Sequence, residues 1–411
     1  MHSSDTPLPD QPYGTQKISF LEFVALLAMT MSLVALSIDA MLPALPNIAE
    51  EFGVVGANTT QFVITLLFAG LSIGQLVAGP LSDRIGRKTC IYIGFFFFFL
   101  GSLLCYFAPS FEVMLAGRFI QGIGAGAPRI VSIAIVRDRY SGRDMARVMS
   151  YIMGVFIFVP ALAPSIGQAI MLVSDWRTIF MVFVAMVTGL SLWISFRLNE
   201  TLRPEDVRSF TFPVLWSGVK TVCSNRMTLC YMIAAGCVFG AFIGYLNSSQ
   251  LIFQDYYDVG DLFPIYFGLT ALALGAAFFA NAQLVRVFGM RVVIFWALIV
   301  MAGLAVVFSL YEFWVHGVVP LPVFMVFIMS SAFCMGMLFG NFNALAMEPM
   351  GHLAGMASAV IGCVSLIISV TAGGIIGQLY SGTLLPVTLG FLILSLLSLL
   401  MMRLVEKKLP V

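Results

Sequence analysis

Charge is scarce in this chain. Asp, Glu, Lys and Arg make up 10% of its 411 residues, against about 25% in an ordinary soluble domain. A soluble chain of this length would lack the charge that its surface needs. This excludes a soluble enzyme, a nucleic-acid binder and a disulfide-stapled secreted domain. Histidine is rarer still, at three residues, and no nucleophile is clustered with a base, which argues against a membrane enzyme. The seven cysteines form no CxxC pair, and most lie in apolar runs. They read as small apolar packers, with no disulfide framework or metal site expected. No G-x-x-x-x-G-K-[ST] loop is present, so ATP drive within this chain is excluded. Residues 1–18 are polar, with Asp5, Asp10 and three prolines, and lack the basic start and cleavage site of a secretory signal.

What is abundant is apolar. AVILMFWYC account for 60% of the chain, about 247 residues, and a membrane helix needs roughly 20. The runs divide into twelve candidate spans, near 19–45, 58–80, 89–108, 111–136, 145–172, 175–198, 226–253, 261–285, 290–313, 320–347, 353–379 and 383–403. The longest charged stretch falls mid-chain. The expected organisation is therefore a tail at 1–18, a six-helix bundle at 19–198, a linker at 199–225, a second six-helix bundle at 226–403 and a tail at 404–411. With both termini inside, 18 of the 21 Lys and Arg fall on one face, including Arg84, Arg87, Lys88, Arg137, Arg197 and Arg403. Arg177 falls outside, and Arg118 and Arg129 fall within span four. That split fits the positive-inside rule with cytoplasmic termini. A weak repeat supports duplication: Ile166-Gly167-Gln168 in span five recurs as Ile376-Gly377-Gln378 in span eleven.

Several motifs are specific. The turn after span two reads Gly79-Pro80-Leu81-Ser82-Asp83-Arg84-Ile85-Gly86-Arg87-Lys88. Gly86 permits a tight turn, the three basic residues anchor the inner face, and Asp83 is placed to meet a helix N-terminus or an arginine such as Arg137. This turn resembles the G-x-L-x-D-R-x-G-R-K signature of the major facilitator superfamily. Residues Ser37 to Pro46, Arg118-Phe119-Ile120-Gln121-Gly122-Ile123-Gly124-Ala125-Gly126, Ala134 to Asp138, Pro160-Ala161-Leu162-Ala163-Pro164-Ser165-Ile166-Gly167 and Glu200-Thr201-Leu202 resemble its drug:proton antiporters, the bicyclomycin-resistance (Bcr/CflA-type) group in particular. The resemblance is dense over 37–202 and thinner beyond, mainly at Asn281 to Arg291 and Gly355 to Gly362. It implies an all-α integral membrane protein in which two six-helix bundles enclose a central cavity. It also implies a monomeric, multi-pass protein of a bacterial inner membrane that exchanges a small organic substrate for protons, with no cofactor beyond the proton gradient. A multidrug pump and a dedicated exporter of an anionic metabolite or siderophore are both compatible with it. A channel suits the two-fold repeat and the proline-bent spans less well.

Ionisable residues at membrane depth are costly and are functional candidates. The short list is Asp39, Arg118 and Arg129. Asp39 lies about 9 Å from the outer end of span one and Arg118 about 10 Å from that of span four, at 1.5 Å per residue. An Asp39–Arg118 pair is therefore expected. It is either a coupling pair, in which burial and the arginine pull on the acid's proton in opposite directions, or a structural ion pair. Some drug exporters carry a second acid two turns earlier, where Met31 stands here. Arg129, eleven residues after Arg118, falls on nearly the same helix face and suits an anion. Alternatively it pairs with a local acid or takes a carbonyl freed by Pro128. Gln121, Asn247 and Asn341 either touch substrate or bond between helices. Pro160 and Pro164 bend span five, and Gly167 allows close packing.

Overall fold

In the computed structural model the described residues are 18–56, 58–207, 212–315 and 317–406. Most of the expected tail at 1–18, linker positions 208–211 and the end of the tail at 407–411 lie outside them. Fourteen α-helices and no strand occur among the described residues. The helices are α1 (Phe20–Asp39), α2 (Leu45–Glu51), α3 (Phe62–Ile85), α4 (Arg87–Tyr106), α5 (Phe111–Arg139), α6 (Gly142–Val173) and α7 (Arg177–Arg197), followed by α8 (Phe212–Ser224), α9 (Arg226–Gln250), α10 (Phe263–Phe288), α11 (Met290–Val315), α12 (Leu321–Met347), α13 (Ala354–Gln378) and α14 (Leu385–Val405). Among the described residues twelve segments are long and apolar enough to cross a membrane. They coincide with the twelve expected spans, α1 and α2 together making the first.

Local chemistry sets the helix ends. Ser19 caps α1, its hydroxyl accepting from the Glu22 amide at 3.2 Å, the Ser-x-x-Glu start of a capping box. The same helix stops at Asp39 although the apolar run continues. Pro43 supplies no amide for the Asp39 carbonyl and its ring crowds that oxygen. A short 3-10 turn at Leu42–Ala44 then leads into α2. Gly86, at φ +99°, makes the turn between α3 and α4. Gly289, at φ +81°, makes the matching turn between α10 and α11. It falls within Asn281 to Arg291, one of the stretches where the resemblance continues into the second half.

Each half packs mainly on itself. In the first, α5 runs between α3 and α4 while α1 lies on α6; in the second, α9 lies on α13 and α14 while α10 lies on α12. Two helix pairs make most of the contact between the halves, α3 with α13 and α6 with α10. Small residues permit the closest crossings. A Cβ on Gly122 would overlap the Leu67 carbonyl oxygen, and one on Gly70 would overlap that of Phe119. The two helices meet backbone to backbone, as small residues allow in lipid. The lipid face is apolar: Phe96 and Phe97 are exposed, while Phe95 and Phe98 are buried.

The linker holds an element absent from the sequence expectation. Helix α8 packs on α13, where a Cβ on Gly218 would meet the Met356 side chain. Val222 is buried and Trp216 is exposed, so the helix is amphipathic and lies against the bundle.

Candidate functional site

The helix bearing the first-half turn motif ends in a network at the basic end of the bundle, the end that carries Arg84, Arg87, Lys88 and Arg197. Arg87, 4% exposed, donates from Nε to Asp138 Oδ2 at 2.8 Å, from Nη1 to Ser82 Oγ at 2.7 Å, and also from Nη1 to Asp83. The Glu200 carboxylate accepts from the Arg87 and Lys88 amides at 2.9 and 3.1 Å, capping α4. The expected Asp83–Arg137 contact does not form: Arg137 points to the exposed face, and its neighbour Asp138 takes the inward position one step round the helix. Asp83 also faces the second half, since a Cβ on Gly355 would sit 3.5 Å from its Oδ2. Gly79 faces α13 as well, 3.1 Å from the Ala359 methyl by the same construction. The motif thus lies where the two halves touch.

Between the halves is a central cavity of about 180 Å3. Its walls come from α1, α3, α5 and α6 on one side and α9, α10 and α12 on the other. They are predominantly apolar and aromatic, with Phe68, Phe156, Phe239, Phe242, Phe267 and Phe339 among them. Among the described residues two charged side chains line it, Asp39 and Arg129. Tyr245 and Thr270 are the main polar groups beside them, with the Tyr245 hydroxyl 3.4 Å from Thr270 Oγ1.

Asp39 is 5% exposed and has no hydrogen-bond or ion-pair partner among the described residues. The expected ion pair with Arg118 is not formed. Arg118, fully buried, donates from Nε to the Val63 carbonyl at 3.0 Å, from Nη1 to Gln121 Oε1 at 2.6 Å and from Nη2 to the Ser37 carbonyl at 2.9 Å. Its plane also lies 5.8 Å from the Phe180 ring centre. The common depth of the two residues is as expected, since Ser37 is two residues from Asp39. The arginine is used on the Ser37 carbonyl where α1 ends, a cation at a helix C-terminus, and on the Val63 carbonyl at the start of α3, and the Asp39 carboxyl is left to the cavity.

Arg129 also differs from Arg118 despite the shared helix face. At the level of Arg118 that face is covered by the end of α1 and the start of α3; at Arg129 it opens into the cavity. Neither a local acid nor a carbonyl freed by Pro128 holds its guanidinium among the described residues. The other tentative substrate contacts do not reach the cavity wall. Gln121, fully buried, bridges Arg118 and the Ser102 hydroxyl. Asn341 bonds to Asn281 at 2.7 Å and to the Met337 carbonyl. Asn247 donates to Thr65 Oγ1 and the Gly373 carbonyl, joining the halves. These amides have nearby polar partners inside the packing, which outbid the cavity. Pro160 lines the cavity. Pro164 lies inside α6 without interrupting it. A Cβ on Gly167 would overlap the Ala40 carbonyl oxygen, so α6 crosses α1 next to Asp39.

At the opposite end the halves are clasped. Asn58 Nδ2 donates to the carbonyls of Gln378 and Tyr380 at 3.0 and 2.8 Å, and Gln378 Nε2 donates to the Asn58 carbonyl at 2.8 Å. Gln168 Nε2 donates to Asp261 Oδ1 at 3.1 Å. Both glutamines of the repeated Ile-Gly-Gln therefore reach from their own half to the other. Tyr245, Asn58 and Asp261 were not singled out from sequence. The repeat, read from sequence only as a sign of duplication, is the signal that coincides with the clasp.

A two-bundle membrane protein with a cavity between its halves defines a transporter architecture, and comparison with known proteins agrees. The family model of the Major Facilitator Superfamily matches residues 27–373, and the chain belongs to that family of transporters. It is 31% identical over 373 residues to the uncharacterized MFS-type transporter YdgK of Bacillus subtilis, covering 89% of this chain and 90% of that one. It is 30% identical over 327 residues to the multidrug resistance protein MdtL of Citrobacter koseri, covering 79% and 80%. It is 27% identical over 382 residues to the bicyclomycin resistance protein homolog of Haemophilus influenzae, covering 90% and 92%. Among solved structures, the human organic anion transporter MFSD10 superposes with a TM-score of 0.70 at 18% identity, covering 95% of this chain and all of that one. The xylose transporter XylE from E. coli does so with 0.68 at 13%, covering 95% and 98%. At such identities these two share the fold.

Proposed function

We propose that the protein exports small organic, drug-like molecules across a bacterial inner membrane by proton antiport with alternating access. It works as a monomer with both termini cytoplasmic and no cofactor beyond the proton gradient. Relatives named for multidrug and bicyclomycin resistance support the substrate class. The distribution of basic residues supports the orientation.

The observation that carries the coupling reading is Asp39. Among the described residues it is the one acid lining the cavity and has no partner, and it sits at a helix end held by Arg118. A proton arriving in the cavity has this carboxyl as its acceptor. Uptake there changes the charge beside the α1 break, and Arg118 ties that break to α3 and α5 through the Ser37 and Val63 carbonyls. Protonation is thereby linked to the relative placement of three helices without a direct ion pair. In this reading the network of Asp83, Arg87 and Asp138, at the contact with α13, is the element that the rearrangement must break and remake.

In proteoliposomes with an imposed pH gradient, Asp39→Asn should abolish gradient-driven substrate movement while the protein remains folded. Gradient-driven transport at the wild-type rate by that variant overturns the assignment.

A further inference from the structure

We propose, building on the export reading above, that the cavity selects zwitterionic amphipaths. These are molecules with an aromatic body, a cationic amine that engages Asp39 and an acidic group that engages Arg129.

The argument starts from the two charges. Asp39 on α1 and Arg129 on α5 line one cavity of mostly apolar, aromatic wall. They do not reach ion-pair distance of one another, and neither has another partner among the described residues. Charges left unpaired inside a protein at membrane depth cost several kcal/mol. Two such charges of opposite sign on one wall make a receptor for a ligand with matching charges of its own. The aromatic wall supplies the apolar contact and a face for the amine as well.

The sign of the coupling narrows the class further. Antiport requires that substrate and proton exclude each other, and linkage makes that exclusion mutual. A ligand carrying only an anion would sit on Arg129 and favour the proton on Asp39, so the two would bind together. A ligand carrying only a cation would compete with the proton but would bring positive charge into a cavity that already holds Arg129. A zwitterion competes for Asp39 through its amine and neutralises Arg129 through its acid. The titratable side chains that line the cavity with Asp39 are Arg129 and Tyr245; Arg118, on the neighbouring helix, is committed to carbonyls and Gln121.

The test uses the purified full-length protein and three probes on one fluorescent body, with the amine and the carboxylate a side chain apart because Arg129 lies about three turns along α5 from the level of Asp39: Nα-dansyl-lysine (zwitterion), its methyl ester (cation) and its Nε-acetyl derivative (anion). Dansyl emission reports binding. The wild type should bind the zwitterion about tenfold or more tighter than either derivative, the range of one charge-assisted contact. Arg129→Gln should remove that advantage while leaving the ester's affinity unchanged or raised, since a like charge has gone, and Arg129→Lys should restore part of the advantage. Thermal unfolding of each variant separates lost contact from lost fold. Tightest binding of the ester or of the acetyl derivative, equal weakening of all three by Arg129→Gln, or binding of none overturns the proposal. The export reading fails separately. If the probes rank as expected but Nα-dansyl-lysine is not moved by a pH gradient, the class stands and proton antiport falls. If a pH gradient drives a drug that lacks these charges while the three probes are not distinguished, antiport stands and the class falls.

Discussion

The clasp between Asn58 and α13 can be broken or strengthened by single side chains, with opposite expected signs. Truncating Asn58 to alanine removes two donated hydrogen bonds, to the carbonyls of Gln378 and Tyr380. Each is worth about 0.5–1.5 kcal/mol net. The contacts are partly exposed, so the pair is worth about 1–2 kcal/mol. Close by, Gln61 is 1% exposed, and both polar atoms of its amide lack a hydrogen-bond partner. The amide lies against Gly377, where a Cβ would overlap Gln61 Oε1. A buried polar group without a partner costs about 1–3 kcal/mol. Closure at this end is therefore a near balance between bonds made and polar groups stranded. Asn58→Ala should shift the equilibrium toward separated halves by about 1–2 kcal/mol, roughly 5–30-fold. Gln61→Leu, similar in size and without the amide, should shift it toward closure by about 1–3 kcal/mol. Spin labels at Val55 and Thr383, both exposed and one in each half at this end, would report the two populations as distances in pulsed dipolar spectroscopy. Six of the seven native cysteines are buried, so Cys223→Ser provides the background. A distance distribution unchanged by Asn58→Ala, or one lengthened by Gln61→Leu, refutes the balance.

Two further expectations concern stability. Gly122→Ala places a methyl on the Leu67 carbonyl oxygen and should lower the melting temperature in detergent, costing about 1–3 kcal/mol or more. Gly303→Ala, on a helix with nothing within 4 Å of the added methyl, should be neutral or stabilising by up to about 1 kcal/mol; equal losses in both would refute the packing account. The Glu406 carboxyl is desolvated, but the Tyr231 hydroxyl and the Arg291 guanidinium outweigh this and hold it below its ordinary value of 4.5. A depressed acid contributes stability that is present above its unfolded value and lost as pH falls through the folded one. Glu406→Gln should accordingly destabilise at pH 7 and converge with the wild type in strong acid. A deficit that persists unchanged at low pH would contradict this.

The spans were legible in the sequence because the bilayer acts as a uniform solvent and leaves its thickness in the length of every apolar run. Direction around a helix leaves a weaker trace. Depth arithmetic placed Asp39 and Arg118 together, and Arg118 does reach the backbone two residues from Asp39. It could not show that α1 ends there, so that the arginine meets carbonyls and the carboxyl turns to the cavity. The same limit explains Arg129. A shared face with Arg118 is a statement about one helix, whereas what covers that face at each level depends on two others. Gln121, Asn247 and Asn341 were ambiguous for a related reason, since an amide buried between helices and one facing a ligand are identical in sequence, and partners on other helices decide between them: Ser102 for Gln121, Thr65 and Gly373 for Asn247, and Asn281 for Asn341. Helix α8 was hidden inside a charged linker, where polar residues mask a short apolar face. The repeat shows the reverse. A tripeptide carries little statistical weight, yet its two copies do parallel physical work. Gly167 lets α6 cross α1 at Ala40, Gly377 lets α13 cross beside Gln61 and Asn247, and the glutamine after each glycine grips the other half. The cavity between the halves breaks that symmetry: its two charges, Asp39 on α1 and Arg129 on α5, come from the first half, while the second half contributes Tyr245, Thr270 and most of the aromatic wall.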